Sequence, residues 1–167
     1  VANLSAHKRG WDDRWEEFSC WAEKGKYFYD ELLKMADEDT NAYNLVMEAY
    51  GLPKETPQQK EARKGAIQAA TIKAIEIPFR VMELAYQSME VIGKMAETGN
   101  PNSVSDAGVG ALALRACIRG AFLNVKINAA GLDDKQFVEE IINKGSQIEN
   151  RAENLEKEIL QTVLNKI

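Results

Sequence analysis

Residues 120–131 read GAFLNVKINAAG: two amides and one lysine in a run that is otherwise apolar or small. At 100° per residue the helical pattern extends back to Asp106 and sorts into four stripes. Val109, Leu112, Ala116, Gly120, Leu123 and Ile127 share one broad side, and Ala111, Leu114, Ile118, Phe122 and Val125 cover the other. Arg115, Arg119 and Lys126 form a narrow basic stripe between them, with Asp106, Asn124 and Asn128 roughly opposite. A helix apolar on both broad faces is expected to be buried among others, with the basic stripe as its solvent edge. The amides then pose a question, because a buried amide is costly unless something hydrogen-bonds it. Either the protein satisfies Asn124 and Asn128 internally, or they point into a cavity and hold a ligand. Asp106 stands roughly 27 Å from Asn124 along the axis, so the two cannot share one small group. An aspartate in a first helical turn also meets the helix dipole favourably.

Outward from this helix, the rest of the chain reads as helix too. Only four prolines punctuate 167 residues, no alternating strand pattern exceeds four residues, and no repeat is visible. A first long helix is expected from Trp11–Asp13 to about Tyr50, stopped by Gly51-Leu52-Pro53. Thr56-Pro57-Gln58-Gln59 supplies a capping threonine, a proline at the first helical position and a glutamine at the capping-box position. The helix that follows is expected to break or kink at Pro78 and resume to Glu97. Residues 98–104, TGNPNSV, form the clearest loop, after which Ser103 or Ser105 can cap the amide-bearing helix that Gly131 closes. Asp133 is expected to cap a last helix to about Lys166. Along it Val138, Ile141, Gly145, Ile148, Ala152, Leu155, Ile159 and Thr162 are spaced three and four apart. The expected fold is all-α: one domain over residues 1–167, a mostly antiparallel bundle of long helices.

On the first long helix, Leu32, Ala36, Tyr43, Val46 and Tyr50 line an apolar stripe with Asp39 in its middle. One reading makes Asp39 a structural carboxylate, paired with a core arginine or capping a neighbouring helix. The other makes it a carboxyl held dry, with a raised pKa, for acid–base work. The aromatics Trp11, Trp15, Phe18, Trp21, Tyr27, Phe28 and Tyr29 fit no single stripe, so some are expected to face a partner and build a subunit interface.

Composition narrows the function. A net charge of −5 weighs against a sequence-independent nucleic-acid binder. No uncharged run approaches 18 residues, so no membrane span is expected. Two cysteines, Cys20 and Cys117, fit a reducing, cytoplasmic setting better than a disulfide framework. With a single histidine, His7, a zinc site of the usual ligands is not expected.

The run GNPNSVSDAGVGALALRACIRGAFLNVKINAAGL at 99–132 closely resembles the cyclodeaminase/cyclohydrolase family of folate enzymes. DEDTNAYNLVMEAYGLPKETPQQKEARKGAI at 37–67 and IPFRVMEL at 77–84 resemble the same family. The resemblance covers essentially the whole chain and is nearest to the family's cyclodeaminase domains, which occur alone or fused to a formimidoyltransferase. It implies a helical bundle assembled as a homodimer or higher homo-oligomer. It also implies conversion of 5-formiminotetrahydrofolate to 5,10-methenyltetrahydrofolate with release of ammonia, in one-carbon metabolism and histidine degradation. The family's catalytic acid matches Asp39, the second aspartate of its Asp-x-Asp segment. Asn124, Asn128 and Asp106 are the expected substrate-binding residues, with no metal and no cofactor beyond the tetrahydrofolate substrate. In the family a Pro-Gly-Gly-Gly-Ser segment and a helix precede the Val-Ala-Asn-Leu of residues 1–4, and neither lies within these 167 residues. Two other readings stay open: a methenyltetrahydrofolate cyclohydrolase on the same fold, and a non-catalytic helical interaction module supported by the aromatic run. His7-Lys8-Arg9 can meet a polyglutamate tail on the folate or form a solvated loop.

Overall fold

Thr56 starts the longest helix as the local sequence requires. Its hydroxyl accepts from the backbone N–H of Gln59 at 3.2 Å, and the Gln59 side chain accepts from the backbone N–H of Thr56 at 3.0 Å. With Pro57 at the first position, two orphan donors are satisfied reciprocally. In the computed structural model, which describes residues 1–6 and 12–167, this helix is α3, Pro57–Thr98. A short α1 (Ala2–Ser5) and a 3₁₀ turn (Asp12–Arg14) precede α2 (Trp15–Gly51). A second 3₁₀ turn (Pro101–Ser103) leads into α4 (Val104–Ala129), and α5 (Lys135–Leu164) completes the chain. Every regular element among the described residues is helical.

α3 is the central helix and packs against α2, α4 and α5. Its Ile75, Met82, Ala85 and Met89 meet Ala111, Ile118, Phe122 and Val125 of α4 and Ile141, Ala152 and Ile159 of α5 in one continuous core. The α4 residues are those of the second apolar side, and the three-four spacing of α5 puts Ile141, Gly145, Ala152 and Ile159 inward as expected. α2 reaches the core by a narrower seam. Phe28, Met35, Ala42 and Ala49 are buried at a repeat of seven, so the seam narrows from large side chains to methyl groups along the helix.

Several expectations are corrected. α3 runs through Pro78 without a break. Ser103 precedes α4 without a side-chain cap, and Asn100 instead accepts from Asn102 N–H in the 3₁₀ turn. Asp134, not Asp133, caps α5, accepting from Phe137 N–H at 3.0 Å. Asp133 pairs with Lys64 at 2.7 Å, and its backbone N–H donates to the Gln68 side chain, which ties the α4–α5 turn to α3. Phe18 and Phe28 belong to the chain's own core, whereas Trp15, Tyr27 and Tyr29 are exposed. Trp11 and His7-Lys8-Arg9 lie outside the described residues.

The largest correction concerns α4. Arg115 is 7% exposed, not at a solvent edge. Its guanidinium lies 3.7, 3.5 and 3.6 Å from Glu149, Glu153 and Glu156, which follow one another at helical spacing along α5. Arg119 joins the cluster through Glu149 at 3.3 Å. Arg119 and Lys126 are exposed as expected, but so is an apolar line: Val109, Leu112, Leu123 and Ile127 are 65, 50, 65 and 73% exposed. The physical reason is that α5's acidic stripe draws Arg115 inward, while Arg119 keeps most of its side chain in solvent. By length and composition, residues 101–129 are apolar enough to cross a bilayer, contrary to the expectation from charge spacing. In this fold they pack as a core helix with a buried arginine near the middle.

Candidate functional site

Asp39 and Asn124 line one hollow. It measures about 260 Å³ and opens between α2, α3 and α4, lined by Leu32, Met35, Ala36 and Asp39 from α2, Pro78 and Val81 from α3, and Cys117, Ala121 and Asn124 from α4. Cys117, Ala121 and Asn124 share a wall because residues spaced four and three apart on a helix face one way. The lining is mostly apolar, with one carboxylate and one amide to orient a ligand. Larger hollows lie elsewhere. One of about 340 Å³ between α2 and α3 is walled mainly by alanine and leucine, with Glu48 and Lys73. It gathers none of the residues singled out above.

Asp39 is exposed, so a dry carboxyl is not what this chain presents by itself. The seam through Met35 and Ala42 explains this. Asp39 lies about 40° from Met35 and 60° from Ala42 around α2, beside the buried edge and not on it. The stripe that enclosed it in the sequence is open as well, with Tyr43 and Tyr50 exposed. Among the described residues Asp39 forms no ion pair, which removes the reading of a carboxylate paired with a core arginine. The nearby Glu38 takes the arginine instead, 3.7 Å from Arg80.

Asn124 is exposed into the hollow and, among the described residues, has no hydrogen-bond partner. Asn128 is different. Its side-chain N–H donates to the backbone carbonyl of Ala74 at 2.8 Å. Ala74 stands four residues before Pro78, whose missing N–H would otherwise have closed that turn of α3. The opening question therefore has two answers: Asn128 serves the protein, while Asn124 faces the hollow. Asp106 is apart from both. It is exposed in the first turn of α4, at a separate hollow with Val1, Ala2, Asn3 and Trp21.

Reading the sequence did not single out Cys117, Pro78 or Val81 as walls of the hollow. Cys117 could have been found from its place seven residues, two turns, before Asn124. It is a free thiol, and burial pushes its pKa upward. Although part of the residue remains exposed, its sulfur is a reluctant thiolate.

Comparison with known proteins adds the following. The sequence model described as formiminotransferase-cyclodeaminase matches residues 1–147. The methenyltetrahydrofolate cyclohydrolase of Methylorubrum extorquens is 35% identical over 167 residues, 100% of this chain and 80% of that protein. The formimidoyltransferase-cyclodeaminase of Dictyostelium discoideum is 37% identical over 128 residues, 77% of this chain but only 23% of its own length. The chicken (Gallus gallus) formimidoyltransferase-cyclodeaminase is 37% identical over 108 residues, 65% of this chain and 20% of that protein. Among solved structures, the formiminotetrahydrofolate cyclodeaminase of Thermotoga maritima superposes with a TM-score of 0.85 at 25% identity, covering 99% of this chain and 78% of that one.

Proposed function

The chain belongs to the formiminotransferase-cyclodeaminase family, and from that premise we propose that it converts 5-formiminotetrahydrofolate to 5,10-methenyltetrahydrofolate with release of ammonia. The observation that carries the reading is that Asp39 and Asn124 line one hollow between three helices. Nitrogen 10 of the folate attacks the formimino carbon borne on nitrogen 5. The formimino group enters as its protonated amidinium, =NH2+. A carbon–nitrogen bond forms, nitrogen 10 loses its proton, and the resulting amino nitrogen gains one and leaves as ammonia with the bonding pair, giving the methenyl cation. The Asp39 carboxylate takes the first proton and delivers the second, a role worth about 10²–10⁴ in rate. The Asn124 amide, both donor and acceptor, orients the pterin edge without adding charge. The step as written calls on no resident metal or redox cofactor, only on the tetrahydrofolate substrate.

A second reading is favoured by the 35% identity to a cyclohydrolase over the whole chain. There water adds to the methenyl carbon, the bond from that carbon to nitrogen 5 breaks, and one proton is released, again to Asp39. One assay separates the readings. Purified protein receives formiminotetrahydrofolate in one cuvette and methenyltetrahydrofolate in another, and the methenyl absorbance is followed. A rise in the first supports the cyclodeaminase, and a fall in the second supports the cyclohydrolase. No change in either favours the interaction module.

The same reading includes assembly as a homodimer in the cytoplasm. Val109, Leu112, Leu123 and Ile127 leave an apolar line open along α4, and Tyr43 and Tyr50 are exposed on α2; open apolar patches mark interaction sites. A second copy seated there would remove that line from water, and two free thiols suit the reducing compartment.

A further inference from the structure

Pro78 is buried inside α3, and a proline there deletes the hydrogen bond that its own N–H would give the carbonyl four residues back. The deprived carbonyl is that of Ala74, a residue buried in the bundle. A buried carbonyl without a donor is disfavoured, and water has little access to it. The donor that reaches it is the Asn128 side chain, at 2.8 Å, from a different helix. Among the described residues this is the one side-chain hydrogen bond that joins α3 directly to α4. It lies one turn from the hollow on both helices: Pro78 is four residues beyond Ala74, and Asn124 four before Asn128.

We propose that Asn128 is a positioning residue. It acts through the Ala74 carbonyl, replacing the bond that Pro78 removes, and so holds α4 in register with α3 where the two helices wall the hollow. The proline and the asparagine form one device. Pro78 frees an acceptor on α3, and that acceptor latches the neighbouring helix in place of closing its own turn. Asn128 therefore supports turnover without touching substrate, whereas Asn124 touches it. The kinetic half of this proposal rests on the folate reading above, and the structural half does not.

A double-mutant cycle tests both halves. Asn128→Ala should lower the thermal unfolding midpoint by about 2–4 °C, the shift expected for one lost hydrogen bond in a domain of this size. It should also lower kcat about tenfold with little change in KM. Pro78→Ala restores a backbone N–H that can close the Ala74 turn. In that background Asn128→Ala should change neither the midpoint nor kcat relative to Pro78→Ala alone. Equal loss of midpoint in both backgrounds would overturn the latch. A raised KM that persists in the Pro78→Ala background would overturn the positioning role and make Asn128 a substrate contact. If the parent protein turns over neither folate, the functional reading falls, and the unfolding cycle alone still decides the latch.

Discussion

The Asn128 side chain donates to the Ala74 carbonyl across the α3–α4 contact, filling the gap that Pro78 leaves in the helical ladder. Two residues conspicuous in the sequence for separate reasons, an amide in an apolar run and a proline inside a helix, are thus halves of one interaction. The neighbouring Asn124, chemically identical and one turn away, is left to face the hollow with Asp39. Division of labour between the two amides follows from where the free carbonyl lies.

Asp39→Asn should leave folding intact and reduce folate turnover by about a hundredfold or more. The carboxylate is exposed and, among the described residues, has no ion pair to lose, so the melting curve should superpose on the parent's. Asn124→Ala should also melt like the parent but raise KM, because the amide contributes to substrate contact and not to packing. Steady-state kinetics beside calorimetry checks both. Full activity in Asp39→Asn would end its role as proton carrier.

Arg115→Ala should be among the most destabilising substitutions on α4, costing about 3 kcal/mol, because it strips the buried positive centre from three partly solvated glutamates. The same cluster predicts acid sensitivity. The Glu153 carboxyl is held below its ordinary value, first by its hydrogen bond with Lys157, with Arg115 and Arg119 adding attraction. A carboxyl depressed in the folded state stabilises above its unfolded pKa, and that contribution is lost as pH falls through the folded value. Denaturant midpoints should therefore drop as pH goes below the ordinary glutamate value of 4.5, and the drop should be shallower in Arg115→Ala.

Gly145→Ala should destabilise even though alanine is the better helix former by about 1 kcal/mol. A methyl group there would lie 2.4 Å from Cε2 of Phe122, a ring buried in the core with little freedom to retreat. Overpacking of this kind costs about 1–3 kcal/mol, so the net loss should be modest but measurable in urea. Phe122→Leu combined with Gly145→Ala should recover part of it.

Leu123→Glu should shift the protein to a smaller species in light scattering without unfolding it, because the side chain is exposed in the single chain yet central to the open α4 face. Phe18→Ala should do the reverse. Its ring is fully buried in the chain's own core, so it should cost about 3–5 kcal/mol while leaving the assembled mass unchanged. If Leu123→Glu keeps the parent mass, the partner does not sit on α4.

What could be read from the sequence was whatever is decided locally. The capping box at Thr56 and Gln59 depends on four residues and came out as written. So did the inward line of α5, because its three-four spacing has no competing stripe. α4 carries two apolar sides, and nothing within the helix says which one a neighbour covers. That is decided by Glu149, Glu153 and Glu156 on α5, whose carboxylates take Arg115 into the interior. Asp39 stands out in the sequence and lines the hollow, but the wheel places it in a buried stripe where the structure leaves it exposed, for a similar reason. The wheel follows the more numerous apolar residues, while α2 docks through a different line in which two of four members are alanines. Asn128 was noticed as needing a partner, yet that partner is a main-chain carbonyl, which leaves no mark in a sequence except the proline four residues later.

The seam that joins α2 to α3 changes character along its length. Phe28 and Met35 anchor one half with large side chains, whereas Ala42 and Ala49 hold the other with single methyl groups. Separating the second half from α3 exposes far less apolar surface than separating the first. The apolar grip on the segment from Asp39 to Gly51 is therefore the weaker one. Its end is held mainly by exposed polar contacts, the Arg63 guanidinium donating to the Tyr50 carbonyl at 3.2 and 3.0 Å. Asp39 stands at the boundary between the anchored half and the loosely held one. A carboxylate in that position can be kept in place by Met35 on one side and still follow the breathing of the helix end on the other. Local opening at this end would widen the approach to the hollow without disturbing Asn124, which is carried on a helix bound into the core.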